Sequence, residues 1–444
     1  MLTLRYDKGT ILSGNVRTPH SSWDRSVGVY RSLALHYPEA IRYLRESGIP
    51  FEDRVLDPLP HADFRAEVMP RAYQLEALDA WLEAGMRGVV VLPTGSGKTL
   101  LGVLAIQEAN SPTLVVVPTL DLLEQWRERL AEAFRQEIGA YGGGDTSLCP
   151  LTVATYDTAY LRAEELGNRF PLLVFDEVHH LPSPGYSQIA ELYASPYRLG
   201  LTATYEREDG LHERLPVLVG PKVYERRVSE MAGTHLAPFS IKRIYVDLPP
   251  DETQEYLRLM RVYREFVRKK GLRMRSPQDF RRLVMMSGRD REAREALLAR
   301  MRAMELALNS PSKIGALGRI LAQNPSERVL IFTRHNSLVY SISSTLLIPA
   351  ITHETPKEER QRILKKFREG GYTAVVTSRV LDEGIDVPEA SLGIILSGTG
   401  SKREFVQRLG RLLRKRGEKK ARLIEIVSRL TDESRLSARR RRGV

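Results

Sequence analysis

Lys98 and Thr99 close the run Leu92-Pro93-Thr94-Gly95-Ser96-Gly97-Lys98-Thr99, and two acids, Asp176 and Glu177, close the apolar run Leu172-Leu173-Val174-Phe175. A tight glycine loop opening a helix turns backbone N–H groups onto one anion. Gly95 and Gly97 permit a loop that side chains would block. Lys98 is then placed to reach the terminal phosphates of a nucleoside triphosphate, and Thr99 to ligate Mg²⁺. The strict pattern has glycine where this chain has Leu92, so the match is partial. Acids at the end of a parallel strand lie beside such a loop, with Asp176 suited to hold Mg²⁺ and Glu177 to orient or activate the attacking water. The chemistry these residues point to is hydrolysis of a nucleoside triphosphate.

Other residues fit that chemistry less specifically. Leu201-Thr202-Ala203-Thr204 follows another apolar run; Thr202 and Thr204 suit a relay of γ-phosphate contacts, though hydroxyls also cap helices. Gln74, just after Arg71, has the donor and acceptor needed to read an adenine edge. In Gln407-Arg408-Leu409-Gly410-Arg411-Leu412-Leu413-Arg414, Arg411 and Arg414 share a helix face and suit the stabilisation of charge in phosphoryl transfer. A solvated basic helix would look the same. Gly384-Ile385-Asp386 supplies a flexible turn with an acid.

The elements that must position these groups alternate. Tyr73 to Met86 has a helical pattern, and the apolar runs Val89 to Leu92, Thr113 to Val117, Leu172 to Phe175 and Leu199 to Leu201 read as strands of a parallel sheet covered on both faces. A second set of strands is expected at Val329 to Phe332, Ala374 to Thr377, Leu392 to Leu396 and Leu423 to Val427. Before both, Thr3 to Tyr6 and Thr10 to Leu12 read as short strands and Glu39 to Ser47 as a helix, with Asp57-Pro58-Leu59-Pro60 as a linker. The expected fold is α/β, with two tandem parallel-sheet domains, a small N-terminal α+β module and a helical insert. The expected boundaries are 1–62, 63–248 with the phosphate loop, 249–310 for the insert, and 311–444.

The chain has 444 residues, 42% of them apolar, and a formal charge of +12. Residues 251–310 hold fifteen Lys/Arg against nine Asp/Glu, half of the whole excess. Such an excess favours an anionic partner, nucleic acid first. Arg261, Arg264, Arg268, Lys269, Lys270, Arg273, Arg275, Arg281 and Arg282 crowd the insert, with Tyr256, Tyr263 and Phe266 among them. The basic residues suit phosphates, and the aromatics suit either base stacking or the insert's own core. Arg439 to Arg442 read as a disordered basic tail. Cys149 is the single cysteine, which excludes an internal disulfide and argues against a cysteine-held metal. With no apolar run near the ~18 residues of a membrane span and no secretory leader, a cytoplasmic protein without a membrane is expected.

Taken in order, Arg71…Gln74, Pro93 to Thr99, Pro118-Thr119, Asp176-Glu177-Val178-His179, Leu201 to Thr204, Gly384-Ile385-Asp386 and Gln407…Arg414 resemble the motifs of superfamily 2 helicases. The Asp-Glu-x-His form separates the chain from the Asp-Glu-Ala-Asp RNA helicases. Within the superfamily it looks most like the XPB family in its short archaeal or bacterial form. Arg207-Glu208-Asp209 matches that family's Arg-Glu-Asp element, residues 251–310 its thumb insert, and residues 1–62 its damage-recognition domain. The resemblance implies two RecA-like motor domains and an ATP- and Mg²⁺-dependent DNA helicase or translocase of 3′-to-5′ polarity, in DNA repair. It implies catalytic roles for Lys98, Asp176, Glu177, His179, Gln407, Arg411 and Arg414. Nucleotide contacts would come from Arg71, Gln74, Pro93 to Thr99, Gly384 and Asp386. DNA contact or coupling is implied for Thr202, Thr204, Arg207, Glu208, Asp209, Arg268, Lys269, Lys270 and Arg273, with the Arg-Glu-Asp loop as a wedge at a fork. Archaeal relatives pair with a nuclease partner. A double-stranded DNA translocase, an RNA helicase, or a scaffold clamped on DNA by ATP are the alternatives.

Overall fold

The computed structural model describes residues 2–231, 233–274, 277–378, 390–397, 405 and 420–440. The chain forms two compact units, Met1–Arg227 and Val228–Val444.

The first unit opens on a five-stranded sheet ordered Ser22–Asp24, Val29–Leu33, Thr10–Leu12, Leu2–Asp7, Phe51–Arg54. Its helix Tyr37–Glu46 turns Tyr37, Ala40, Ile41 and Leu44 inward. Pro38 near the helix start fits, because that amide has no intrahelical acceptor to lose. This module is bonded to the remainder of its unit: Tyr6 Oη lies 3.0 Å from the Leu192 carbonyl oxygen and 3.1 Å from that of Ala163. Past it, the chain is a strap rather than a bare linker. Leu59 packs on the central core, and the Phe64 amide donates to Asn110 Oδ1 at 2.9 Å.

The main sheet of this unit has eight strands, in the order Lys222–Glu225, Arg87–Val91, Tyr197–Thr202, Leu172–Asp176, Thr113–Val117, Leu151–Thr155, Gly139–Gly142, Asp145–Ser147. All pairings are parallel except the last. Leu172–Asp176 and Thr113–Val117 are buried throughout and mostly aliphatic, as a sheet with helices on both faces requires. Leu151–Thr155 lies inside this sheet although it is not among the strands expected from the sequence; its two threonines interrupt the apolar pattern, and both are buried.

In the second unit, six parallel strands run Phe239–Val246, Ala421–Ser428, Leu392–Ile395, Val329–Phe332, Ala374–Thr377, Ala350–Ile351. Phe239–Val246 pairs in register along the whole of Ala421–Ser428. That pairing carries residues 228–248 into the second unit, whereas the sequence groups them with the phosphate-loop domain.

The helices Pro250–Lys269, Pro277–Ser287 and Arg291–Asn309 form the insert. Its core sets Tyr256, Leu259, Met260, Tyr263 and Phe266 against a row of alanines, Ala293, Ala296, Ala299, Ala303 and Ala307. Large side chains on one helix opposite small ones on the other let the two approach closely. The three aromatics considered for base stacking are therefore core residues. The helix Glu433–Arg440 continues through Arg439 and Arg440, where the sequence suggested a disordered tail; Ser437 Oγ ties it down by donating to buried Glu425 at 2.7 Å.

Candidate active site

Arg87–Val91 delivers the chain to the loop, and the helix Lys98–Ala109 begins at its end. Gly95 and Gly97 have φ of 85° and 84°, a left-handed conformation that a side chain would strain. A Cβ on Gly97 would stand 2.7 Å from Gln74 Nε2. Gln74 braces this loop: its Nε2 donates to the carbonyls of Gly97 at 3.1 Å and Ser96 at 3.3 Å, and its Oε1 accepts the Arg71 amide at 2.9 Å. Tyr73 Oη also donates to the Ser96 carbonyl, and Ser96 Oγ donates to Pro93 O at 2.7 Å. Reading an adenine edge, the role expected of Gln74, would require exchanging these bonds.

Asp176 and Glu177 stand at the end of Leu172–Asp176, in register with Tyr197–Thr202 on the neighbouring strand. Both are buried. Glu177 adopts φ 49°, a strained conformation for a residue with a side chain, as is found at functional sites. Lys98 Nζ lies 3.9 Å from Glu177 Oε1, and His179 Nδ1 3.4 Å from Glu177 Oε2. Burial, and then the charge of Glu177, push Asp176 up to about 6. Burial would also raise Glu177, but Lys98 and then His179 hold its carboxyl below the usual range. The pair is thus arranged with Glu177 as the lasting anion.

Thr202 and His179 share a hydrogen bond of 3.1 Å, and Thr202 Oγ1 accepts the Thr204 amide at 3.2 Å. Thr94 Oγ1 and Thr204 Oγ1 are buried without a hydrogen-bond partner among the described residues. A left-handed glycine loop at a helix start, a lysine, a buried carboxylate and a buried threonine hydroxyl without a partner among the described residues fit a phosphate chain with its cation. Thr99 Oγ1 and Asp176 are hard oxygen donors of the kind Mg²⁺ takes.

The Arg-Glu-Asp segment joins the same cluster. Arg207 donates to the His179 carbonyl and, at 3.2 Å, to Ser183 Oγ. It also forks onto Asp209, Nε to Oδ1 at 2.9 Å and Nη2 to Oδ2 at 2.7 Å. Glu208 is exposed. Arg207 is half-buried and bonded to the acidic strand end, while Asp209 is exposed like Glu208.

The remaining expected residues belong to the second unit. Arg268 and Arg273 are exposed on the insert, whereas Lys269 pairs with Glu292 at 2.8 Å and Lys270 with Asp290 at 3.0 Å. Gly384, Asp386, Gln407, Arg411, Arg414, Arg275, Arg441 and Arg442 lie outside the described residues. Two residues at the site had no chemical role expected from sequence. They are Trp126, whose indole N–H donates to Asp176 Oδ2 at 2.8 Å, and Tyr156, whose hydroxyl donates to Asp176 O at 3.1 Å. Their only sequence signal is a large ring with one polar atom, which needs a partner once buried.

Comparisons with known proteins bear on the family of the chain. Residues 4–55 match the xeroderma pigmentosum group B helicase damage recognition domain, residues 67–207 the type III restriction enzyme res subunit, and residues 312–416 the helicase conserved C-terminal domain. The chain is 49% identical over 441 residues to the DNA 3′-5′ translocase XPB2 of Sulfurisphaera tokodaii, covering 99% of this chain and 100% of that one. It is 34% identical to the DNA 3′-5′ helicase XPB of Kineococcus radiotolerans, covering 84% of this chain and 62% of that one. A solved structure, the helicase domain of Hef from Pyrococcus furiosus, superposes with a TM-score of 0.56 at 19% identity, over 83% of this chain and 97% of that one.

Proposed function

This chain belongs to the XPB family of superfamily 2 helicases, and from that premise we propose that it is an ATP-driven DNA helicase or translocase of 3′-to-5′ polarity that acts in DNA repair. The observation that carries the reading is the buried pair Asp176 and Glu177 with Lys98 beside it, at the end of a left-handed glycine loop. Lys98 binds the terminal phosphates. Glu177, kept anionic by Lys98 and His179, accepts a proton from the attacking water. Thr99 and Asp176 would hold Mg²⁺, which when bound would supply positive charge against the phosphates. Arg411 and Arg414 add charge stabilisation, and Gly384, Asp386 and Gln407 belong to the same reading.

DNA is the expected polymer because the damage-recognition match lies at residues 4–55 and the basic insert attracts phosphates without reading bases. Residues 1–62 are read as the damage-recognition module. No helix among the described residues is long and apolar enough to cross a membrane. A cytoplasmic location is part of this proposal. A nuclease partner, which archaeal kinship suggests, belongs to the same proposal.

Strand displacement on forked, 3′-tailed and 5′-tailed duplexes tests activity and polarity together. Displacement of forked and 3′-tailed substrates is expected, with the 5′-tailed duplex left intact. A second reading, translocation on duplex DNA without strand separation, is favoured by the name of the Sulfurisphaera relative. It predicts removal of a third strand from a triplex with no displacement from forks.

A further inference from the structure

Trp126 lies on the helix Leu120–Phe134 and is almost wholly buried. Its Nε1–H donates to Asp176 Oδ2 at 2.8 Å, while Asp176 Oδ1 accepts the Glu177 amide at 3.0 Å. Each carboxylate oxygen therefore has one donor, and the two donors fix the plane of the group. The indole is itself held from the other side. A Cβ on Gly102 would stand 2.5 Å from the Trp126 ring, so the helix that begins at Lys98 meets the ring at a residue without a side chain. Leucine or phenylalanine would fill an apolar slot on this helix equally well; tryptophan adds a donor aimed at a buried anion, where such bonds are strongest.

We infer that Trp126 is a positioning residue for the divalent cation: its indole N–H orients the Asp176 carboxylate so that the remaining lone pairs are set for Mg²⁺. Partners of this kind, bonded to a metal-holding group rather than to the metal, are known to tune affinity through orientation. The same helix is capped by Thr119, whose Oγ1 accepts the Leu122 amide at 3.3 Å, so cation affinity is tied to where that helix lies. The inference rests on the reading of Asp176 as a Mg²⁺ ligand.

The test is calorimetric binding of ADP to the full chain with and without Mg²⁺, for the native protein and for Trp126→Phe. Phenylalanine is expected to leave Mg²⁺-free ADP binding and the melting temperature near native, and to reduce the Mg²⁺-dependent gain in affinity by about tenfold. An unchanged gain in a normally melting Trp126→Phe overturns the inference and leaves the ATP-site reading standing. If the native protein shows no Mg²⁺-dependent gain, both are overturned. Should Trp126→Phe fail to fold, indole ¹⁵N–¹H spectra of the native chain, which has three tryptophans, decide the matter. One of the three indole resonances should shift when Mg²⁺ is added to the ADP complex; three unmoved resonances overturn the inference.

Discussion

Arg207 donates a guanidinium hydrogen bond to the main-chain carbonyl of His179. Through His179, whose ring touches both Glu177 and Thr202, this bond joins the Arg-Glu-Asp segment to the residue proposed to activate water. Arg207 in turn forks onto Asp209, so one chain of contacts runs from Glu177 to the Arg-Glu-Asp segment.

That relationship predicts separable losses. Arg207→Lys retains the charge but cannot fork onto Asp209 while holding the His179 carbonyl. Strand displacement should fall on the order of tenfold while nucleotide affinity stays near native, since misplacement rather than lost binding is the defect. Parallel displacement assays and nucleotide titrations check this; an equal loss in both would place Arg207 in nucleotide binding.

Protonation of Asp176 sets a pH dependence with two opposite signs. At its carboxyl, raised to about 6 by burial and then by Glu177, a proton competes with the cation. Mg²⁺-dependent nucleotide affinity should weaken as pH falls through about 6. Because the raised group binds its proton more tightly folded than unfolded, the nucleotide-free protein gains stability from Asp176 over the same descent and loses it as pH rises. Titrations from about pH 7.5 to 5 with Asp176→Asn as the reference isolate both effects, and matching pH profiles in the two proteins would rule this linkage out.

Lys313 and Glu433 form a buried ion pair, Lys313 Nζ lying 2.7 Å from Glu433 Oε1 and 2.7 Å from the Leu396 carbonyl oxygen. Glu433 also accepts the Ser428 amide at 2.8 Å. Lys313→Met strands a buried carboxylate and should cost about 3–5 kcal/mol. Glu433→Gln keeps an acceptor and should cost less. Urea unfolding of the two variants measures the order, and a cheap Lys313→Met would mean that water reaches the site.

Tyr263 should behave as a core residue and not as a DNA contact. Tyr263→Ala is expected to cost about 3 kcal/mol or more by analogy with other large aromatic truncations, whereas Arg268→Ala should leave stability unchanged and reduce the salt dependence of DNA binding by about one unit of log–log slope. Chemical unfolding together with binding across a salt series distinguishes them.

How much of the structure is legible in the sequence differs by element. Thr113–Val117, Val329–Phe332 and Ala374–Thr377 are found as read, because buried parallel strands are continuous apolar runs. The acids at the end of Leu172–Asp176 follow from the same rule. Phe239–Val246 escapes a reading of the sequence because Ser240, Lys242 and Arg243 interrupt its apolar residues, and its membership depends on a partner at Ala421–Ser428. Gln74 and Trp126 show the limit for the site. Residue type suggests an adenine reader in the first case and plain core in the second; which atom each side chain bonds is fixed by the approach of distant segments, and local pattern carries no trace of it.

The Lys98 loop and the Asp176–Glu177 strand end are proposed to form one hydrolytic site driven by DNA, and on that claim the rest depends. Multiple-turnover phosphate release from ATP, with and without DNA, tests it in the native protein and in Lys98→Ala. DNA-stimulated turnover is expected in the native protein and its loss to background in Lys98→Ala, with the melting temperature preserved. DNA-stimulated turnover that survives Lys98→Ala would contradict the claim.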